Sequence, residues 1–297
     1  MQKLPVFTII TVTFNAVKVL EKTLLSVINQ TYNQIEYIVI DGGSSDGTFD
    51  MIRQYASGIN YWVSEPDKGI YDAMNKGLRE ATGDYVWFLN AGDTLQHHNI
   101  VTELAGIAAS AGLPDVLYGE TDLMNAAGRV FAERRLKTPK NLTRKSFRMG
   151  MLVCHQAFIV KRSIAPEYDL QYRFSADFDW CIRCLKKAEE IGEERQLHKS
   201  ENINRKGRKD STQRALRLNI DRLLCKKTVL LGEKKILNSH LRIVNYLYEG
   251  TTTSNRKASL KERYYIMCKY YGVVPTQIRH LWFAVRTFWA KLFKNNY

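Results

Sequence analysis

The stretch Ser64–Asp93, SEPDKGIYDAMNKGLREATGDYVWFLNAGD, constrains the fold more tightly than any other part of the chain. Tyr85–Leu89 is a run of five large, β-favouring residues without polar alternation. Such a run predicts a strand buried on both faces, as in a parallel sheet. Before it, the spacing predicts a helix from about Gly69 to Ala81, with Ile70, Ala73, Met74, Gly77 and Leu78 on its apolar side and Gly83 just past its end. After it the chain turns at once through Asn90, Ala91 and Gly92, so Asp93 stands at the carboxyl edge of a sheet. That edge is where open α/β folds bind ligands, and a carboxylate there can hold a metal–phosphate complex.

The rest of the first two hundred residues repeats the alternation. Strands are predicted at Val6–Phe14, Ile35–Ile40 and Tyr61–Val63, with a helix from about Val19 to Gln30 and a second one opened by the DGGSSDGT turn, where Asp46 serves as cap. Further on come a helix near Ile100–Ala111, a strand at Val116–Gly119, an edge strand at Gly128–Ala132 and a basic irregular segment, Lys137–Met149. Cys154–Arg162 is predicted as a strand beginning with His155 and Gln156. Ser175 then caps a helix carrying Asp177 and Asp179 in its first turn, and helices dominate beyond Thr212. The expected architecture is α/β: a doubly wound, mostly parallel sheet with a basic, mainly helical C-terminal extension. Asn15, Asp41 and Asp93 fall at three successive strand ends, a placement that ordinary turn chemistry explains for one of them but not for all three.

Charge divides the chain. Of 44 basic and 30 acidic residues, 23 and 25 lie in residues 1–204, leaving the remainder strongly cationic. The division expected is therefore 1–204 as the ligand-binding domain and 205–297 as a basic helical extension suited to a polyanionic surface. Five cysteines point to reduced thiols and a cytoplasmic setting, and no apolar run is long and charge-free enough to span a bilayer. Cys181 and Cys184 make a CxxC on a predicted helix with no second pair, which reads as packing rather than zinc.

Five pieces in order, TIITVTFN, VIDGGSSDGT, DKGIYDAMNKGL with FLNAGD, CHQAF and SADFDW, resemble the family 2 glycosyltransferases of GT-A architecture, in particular those of bacterial surface-polysaccharide assembly. The resemblance runs from about residue 6 to 190 and implies an inverting transfer from a nucleotide diphosphate sugar, expected to be a UDP-sugar, to a hydroxyl of a saccharide or lipid-linked acceptor. It implies that Thr11, Phe14 and Asn15 border the base and that Asp41 accepts a hydrogen bond from its ring. Asp67, Lys68 and Asp72 would lie along the nucleotide and sugar, with Asn75 supporting the pocket and Asn90 beside the nucleotide. Asp93 matches the metal-binding aspartate, for Mg²⁺ or Mn²⁺, although Asn90 and Gly92 stand where the family often has further carboxylates. Asp177 matches the base that takes the acceptor proton, with Asp179 the alternative, and His155 and Gln156 would face the acceptor.

The reduced acidic turn leaves a catalytically weak nucleotide-sugar-binding relative as the alternative, and two other classes fit less of the sequence. Nucleic-acid binding would use the basic tail but not the strand-end carboxylates, which repel phosphate without a metal; no nucleic-acid partner is expected. A nicotinamide enzyme would need GxGxxG after the first strand, where TFNAVK stands instead. Near the end, Thr276–Lys294 places Ile278, Trp282, Val285, Trp289 and Leu292 on one helical side among Arg279, Arg286, Lys291 and Lys294. This predicts an interfacial helix on an anionic membrane, on the inner face of the plasma membrane; the alternative is a helix docked on the catalytic domain.

Overall fold

The computed structural model describes residues 4–207, 235–248 and 255–294. Its centre is four parallel strands in the order β3-β2-β1-β4: β1 (Phe7–Thr13), β2 (Ile35–Asp41), β3 (Tyr61–Ser64) and β4 (Tyr85–Phe88). Every residue of β1 and β4 is buried because both faces are covered. Ile10, Val12, Ile38, Ile40 and Phe88 face one core; Ile9, Tyr37, Val39 and Trp87 face the other. The crossovers are α1 (Val17–Ile28), α2 (Thr48–Gln54) and α3 (Ile70–Glu80). Parallel register brings Thr13 opposite Asp41 and Asp41 opposite Ser64, so the strand ends form one polar edge.

Beyond β4 the sheet becomes mixed. The chain adds β5 (Thr94–Leu95), α4 (Ile100–Ser110), β6 (Val116–Met124), β7 (Val130–Glu133) and β8 (Phe158–Lys161). β8 inserts antiparallel between β4 and β6, and β7 pairs with β6. Then come α5 (Ala176–Gly207), β9 (Ile236–Leu247), α6 (Arg256–Tyr271) and α7 (Val273–Lys294).

Two expectations are corrected. Ile70 is 41% exposed, and Tyr71 takes its place on the buried side of α3. His155–Ala157 forms a 3₁₀ turn, so the strand begins only at Phe158. Helices dominate the described residues beyond Thr212, as expected, and one strand joins them: β9 runs parallel to β6 and antiparallel to β5. A boundary at 204/205 would fall inside α5, and the segment after it returns to the sheet through β9; residues 208–234 lie outside the described residues.

The first turns of α5 explain their own irregular pattern. Ala176, Phe178, Trp180, Cys181, Ile182, Cys184 and Leu185 are all fully buried, so this helix is enclosed on nearly every side. Cys181 and Cys184 are free thiols within that packing.

Candidate active site

One group of candidate site residues is built on the turns that end β1, β2 and β3. Asp41 is fully buried, and its carboxylate accepts hydrogen bonds from the Ser44 N–H (3.0 Å), the Ser44 hydroxyl (2.5 Å) and the Ser64 hydroxyl (2.5 Å). A carboxylate has about four acceptor sites, so one remains for a further N–H. Asn15, at φ +48°, closes the same turn: its N–H donates to Ser44 Oγ, and its Oδ1 accepts from the Ser45 N–H. Asp46 ties two helix starts together through the N–H groups of Val17 and Thr48.

Phe14 is 62% exposed, with the edge of its ring beside Gly42. Gly42 leaves room for Asp67: a Cβ there would lie 2.4 Å from Asp67 Oδ2, and the carboxylate would have to move. Asp67 in turn accepts from the Gly69 N–H, and Asp72 accepts from the Lys68 N–H, which fixes the loop at the start of α3. The Lys68 side chain is exposed above it. Phe14, Asn15, Asp41, Asp67, Lys68 and Asp72 thus belong to adjoining turns at one edge. Thr11 does not reach it: it lies two residues inside β1, fully buried, 3.0 Å from the Tyr37 hydroxyl. Thr13, at the strand end, has a buried hydroxyl without a partner among the described residues.

The acidic turn follows β4. Asp93 is 3% exposed; its Oδ1 accepts the Leu247 N–H at 2.8 Å, and Gln156 provides a side-chain hydrogen bond. Burial outweighs both bonds and pushes the carboxyl up to about 7. Asn90 Oδ1 in the same turn is buried with no partner among the described residues. No cluster of three His, Cys, Asp or Glu side chains able to cage a metal occurs among the described residues. One carboxylate and an unsatisfied amide oxygen fit a hard cation that takes its other ligands from phosphate and water.

A second group of candidate site residues centres on aromatic rings. His155 Nε2 lies 2.7 Å from the Tyr168 hydroxyl, and its ring stacks on Phe88. Burial lowers its pKa to about 4, so the imidazole is neutral at neutral pH. Tyr168 is sandwiched between Tyr71 and Trp180, with centroids 5.6 and 5.0 Å away, and Asn75 holds its backbone through the N–H and the carbonyl. The Tyr71 hydroxyl donates to Asp177 Oδ1 at 3.2 Å, and the Phe178 N–H donates to the same oxygen. Asp179 points elsewhere: it is fully buried and spent on Arg183 (2.6 Å), Lys269 (3.5 Å) and the Tyr270 hydroxyl (2.8 Å). His155 and Gln156 therefore connect the two halves, with Gln156 on Asp93 and His155 linked through Tyr168 and Tyr71 to Asp177. Asn75 and His155 act as buttresses here, and Tyr71 and Tyr168, which no sequence motif singles out, carry the contact.

A sheet edge carrying buried carboxylates beside a Gly- and Ser-rich turn is the frame of a ligand-binding α/β enzyme. The glycosyl transferase family 2 model matches residues 8–165, and the chain belongs to that family. It is similar to an uncharacterized glycosyltransferase of Mycobacterium tuberculosis, 33% identical over 196 residues covering 64% of this chain and 73% of the relative. It is also similar to a PGL/p-HBAD biosynthesis glycosyltransferase of Mycobacterium bovis, 33% identical over 191 residues covering 61% and 70%. Among solved structures, S. aureus TarS has the same fold at a TM-score of 0.51 and 17% identity, over 61% of this chain and 33% of TarS. TarS 1–349 in complex with UDP has a TM-score of 0.51 at 18% identity, over 61% of this chain and 55% of that one. The chain thus spans a third to about half of these structural neighbours.

Proposed function

We propose that this glycosyltransferase moves a hexosyl or N-acetylhexosaminyl group from a UDP-sugar to a hydroxyl of a saccharide or lipid-linked acceptor in surface glycan synthesis, with inversion. The observation that carries the reading is the separation of the two carboxylates: Asp93 sits at the sheet edge by the donor turns, while Asp177 is held by Tyr71 on the aromatic acceptor side. The UDP complex of TarS and the name of the M. bovis relative support donor and pathway class.

Asp177 takes the proton of the attacking hydroxyl, oriented by the Tyr71 hydroxyl and by the Phe178 N–H. Neutral His155 keeps the Tyr168–Tyr71 stack in place without adding positive charge beside the base. Phe14 offers an exposed face to the base ring, Asp41 and Asn15 hold its turn, and Lys68 faces the phosphates. Asp93, with Asn90, would hold Mg²⁺ or Mn²⁺, which when bound neutralises the departing diphosphate.

No helix among the described residues is long and apolar enough to cross a membrane. The extension carries exposed apolar residues, Ile278, Leu281, Trp282 and Val285, on basic α7, which supports peripheral binding to the anionic inner leaflet. The side chains of Arg286 and of Trp289, Lys291, Leu292 and Lys294 lie outside the described residues. The experiment is a donor screen: release of UDP, GDP or dTDP from their sugars with Mn²⁺, paired with thermal shifts. A nucleotide at a hundred times its Kd should stabilise by about 2.7 kcal/mol. Stabilisation by none of the three would sink the donor assignment.

A further inference from the structure

Gln156 meets Asp93 with one end of its amide, and Cys154 holds the other end. Cys154 Sγ lies 3.0 Å from Gln156 Oε1. An amide oxygen only accepts, so the thiol is the donor of this bond. Cys154 is buried, which pushes the thiol up and keeps it protonated at neutral pH. The Asp93 charge acts on the same thiol in the same direction. With Oε1 taken by the thiol, the NH₂ of Gln156 is the end that faces the Asp93 carboxylate.

The backbone around this pair is held from several sides. The Trp87 indole N–H donates to the Gln156 carbonyl at 2.7 Å, and the Ala157 N–H donates to the Cys154 carbonyl at 2.9 Å. Arg134 donates to the carbonyls of Met151 and Leu152, at 2.5 and 2.8 Å, and so fixes the chain entering Cys154. The 3₁₀ turn that starts at His155 then brings side chains 154 and 156 together. What stays open is rotation of the Gln156 amide about its last bond. That rotation exchanges two ends of similar size and opposite polarity. One end stabilises a carboxylate, and the other repels it.

We propose that Cys154 is a positioning residue for the acidic turn: its thiol sets which end of the Gln156 amide meets Asp93. This rests on the reading of Asp93 as a cation ligand. The Leu247 N–H and the Gln156 amide donate to Asp93 from two distant parts of the chain. A carboxylate held by two such donors keeps one direction and still has acceptor sites for a cation. Turned round, the amide would set Oε1 against the same carboxylate, removing a donor and adding a repulsion. Cys154 thus acts through Gln156 and touches no ligand itself. Serine, which also donates, can replace it; alanine and valine cannot.

The test titrates Mn²⁺ into the full chain at saturating UDP, following the free ion by its EPR signal. Wild type, Cys154→Ala, Cys154→Ser, Gln156→Met and the double variant Cys154→Ala/Gln156→Met are compared, with a melting curve for each. Cys154→Ala should weaken Mn²⁺ binding roughly threefold to tenfold, the equivalent of one neutral hydrogen bond. Cys154→Ser should restore the wild-type affinity. Gln156→Met should lose at least as much as Cys154→Ala, and the double variant should match Gln156→Met, because no amide is left to turn. Should Cys154→Ala not fold, Cys154→Val keeps the bulk without the donor and carries the comparison. If the Gln156→Met chains do not fold, the contrast between alanine and serine decides. Wild-type affinity in Cys154→Ala overturns the proposal, as does a serine variant as weak as the alanine one. Losses that multiply in the double variant overturn it too, since Cys154 would then act independently of the amide. If wild type binds UDP with no contribution from Mn²⁺, the cation reading of Asp93 falls and takes this one with it. Mn²⁺-dependent binding that ignores position 154 removes this one alone.

Discussion

The backbone N–H of Leu247 donates a 2.8 Å hydrogen bond to Oδ1 of Asp93, joining two residues 154 positions apart. The strand ending at Leu247 also pairs Asn245 with Thr94, next to Asp93. The acidic turn is thus anchored by the basic part of the chain.

Asp93 sets a pH dependence. Its folded pKa, about 7, lies above that of an unfolded aspartate, so the metal-free fold is favoured by protonation there. That contribution is full below about pH 4 and lost as pH rises through 7. A cation needs the ionised form. Mn²⁺-dependent stabilisation by UDP should therefore grow as pH rises from 6 to 8, and Asp93→Ala should abolish it with the fold intact. Metal-independent UDP binding in both proteins would remove Asp93 from the metal site.

Gly92 has φ +98°, and a Cβ there would come within 2.5 Å of Leu247 Cδ2. Gly92→Ala should destabilise by about 1–2 kcal/mol from the backbone alone, with the collision added. Denaturant midpoints of Gly92→Ala, Leu247→Ala and the double variant test this. The double variant should lose less than the sum of the two, because Leu247→Ala clears the collision and leaves only the dihedral cost. Strict additivity would mean that Leu247 does not cover the turn.

The two aspartates of SADFDW should fail in different ways. Asp177→Asn should lower transfer about a hundredfold to ten-thousandfold while sparing UDP binding, since only the acceptor proton loses its base. Asp179→Asn breaks a buried ion pair and should cost on the order of 3 kcal/mol of stability. An Asp177→Asn enzyme with near wild-type turnover, beside a folded but dead Asp179→Asn, would move the base to Asp179.

The tail should hold the enzyme on anionic vesicles. Full-length protein is expected to float with them, weakly with neutral ones, while a chain ending at Val274 stays behind. That truncation keeps β9 and α6, so its fold should persist. Equal flotation of both forms would take α7 out of membrane binding.

Much of this was legible in the sequence because local patterns dictate it. Tyr85–Leu89 lacks alternation because both faces of β4 are covered, and polar residues end β1, β2 and β4 because parallel crossovers align those ends. What escaped depends on distant partners. Ile70 and Tyr71 suit the apolar side of α3 about equally by spacing; the hydroxyl of Tyr71 finds Asp177, and Ile70 is left outside. The ILNSHLRIVNYL segment mixes charge with apolar residues and becomes β9 only because β6 offers it an edge. Asp177 and Asp179 part company because α6 brings Lys269 and Tyr270 to one and not the other.

β9 lies between β6 and β5, two strands made more than a hundred residues before it. On the ribosome, a nascent chain that has reached only α5 carries an open slot with two unpaired strand edges. Pairing so distant in sequence is slow, and exposed edges recruit other chains. Expression of fragments ending before Ile236 should therefore yield aggregates, whereas a chain that includes β9 should stay dispersed.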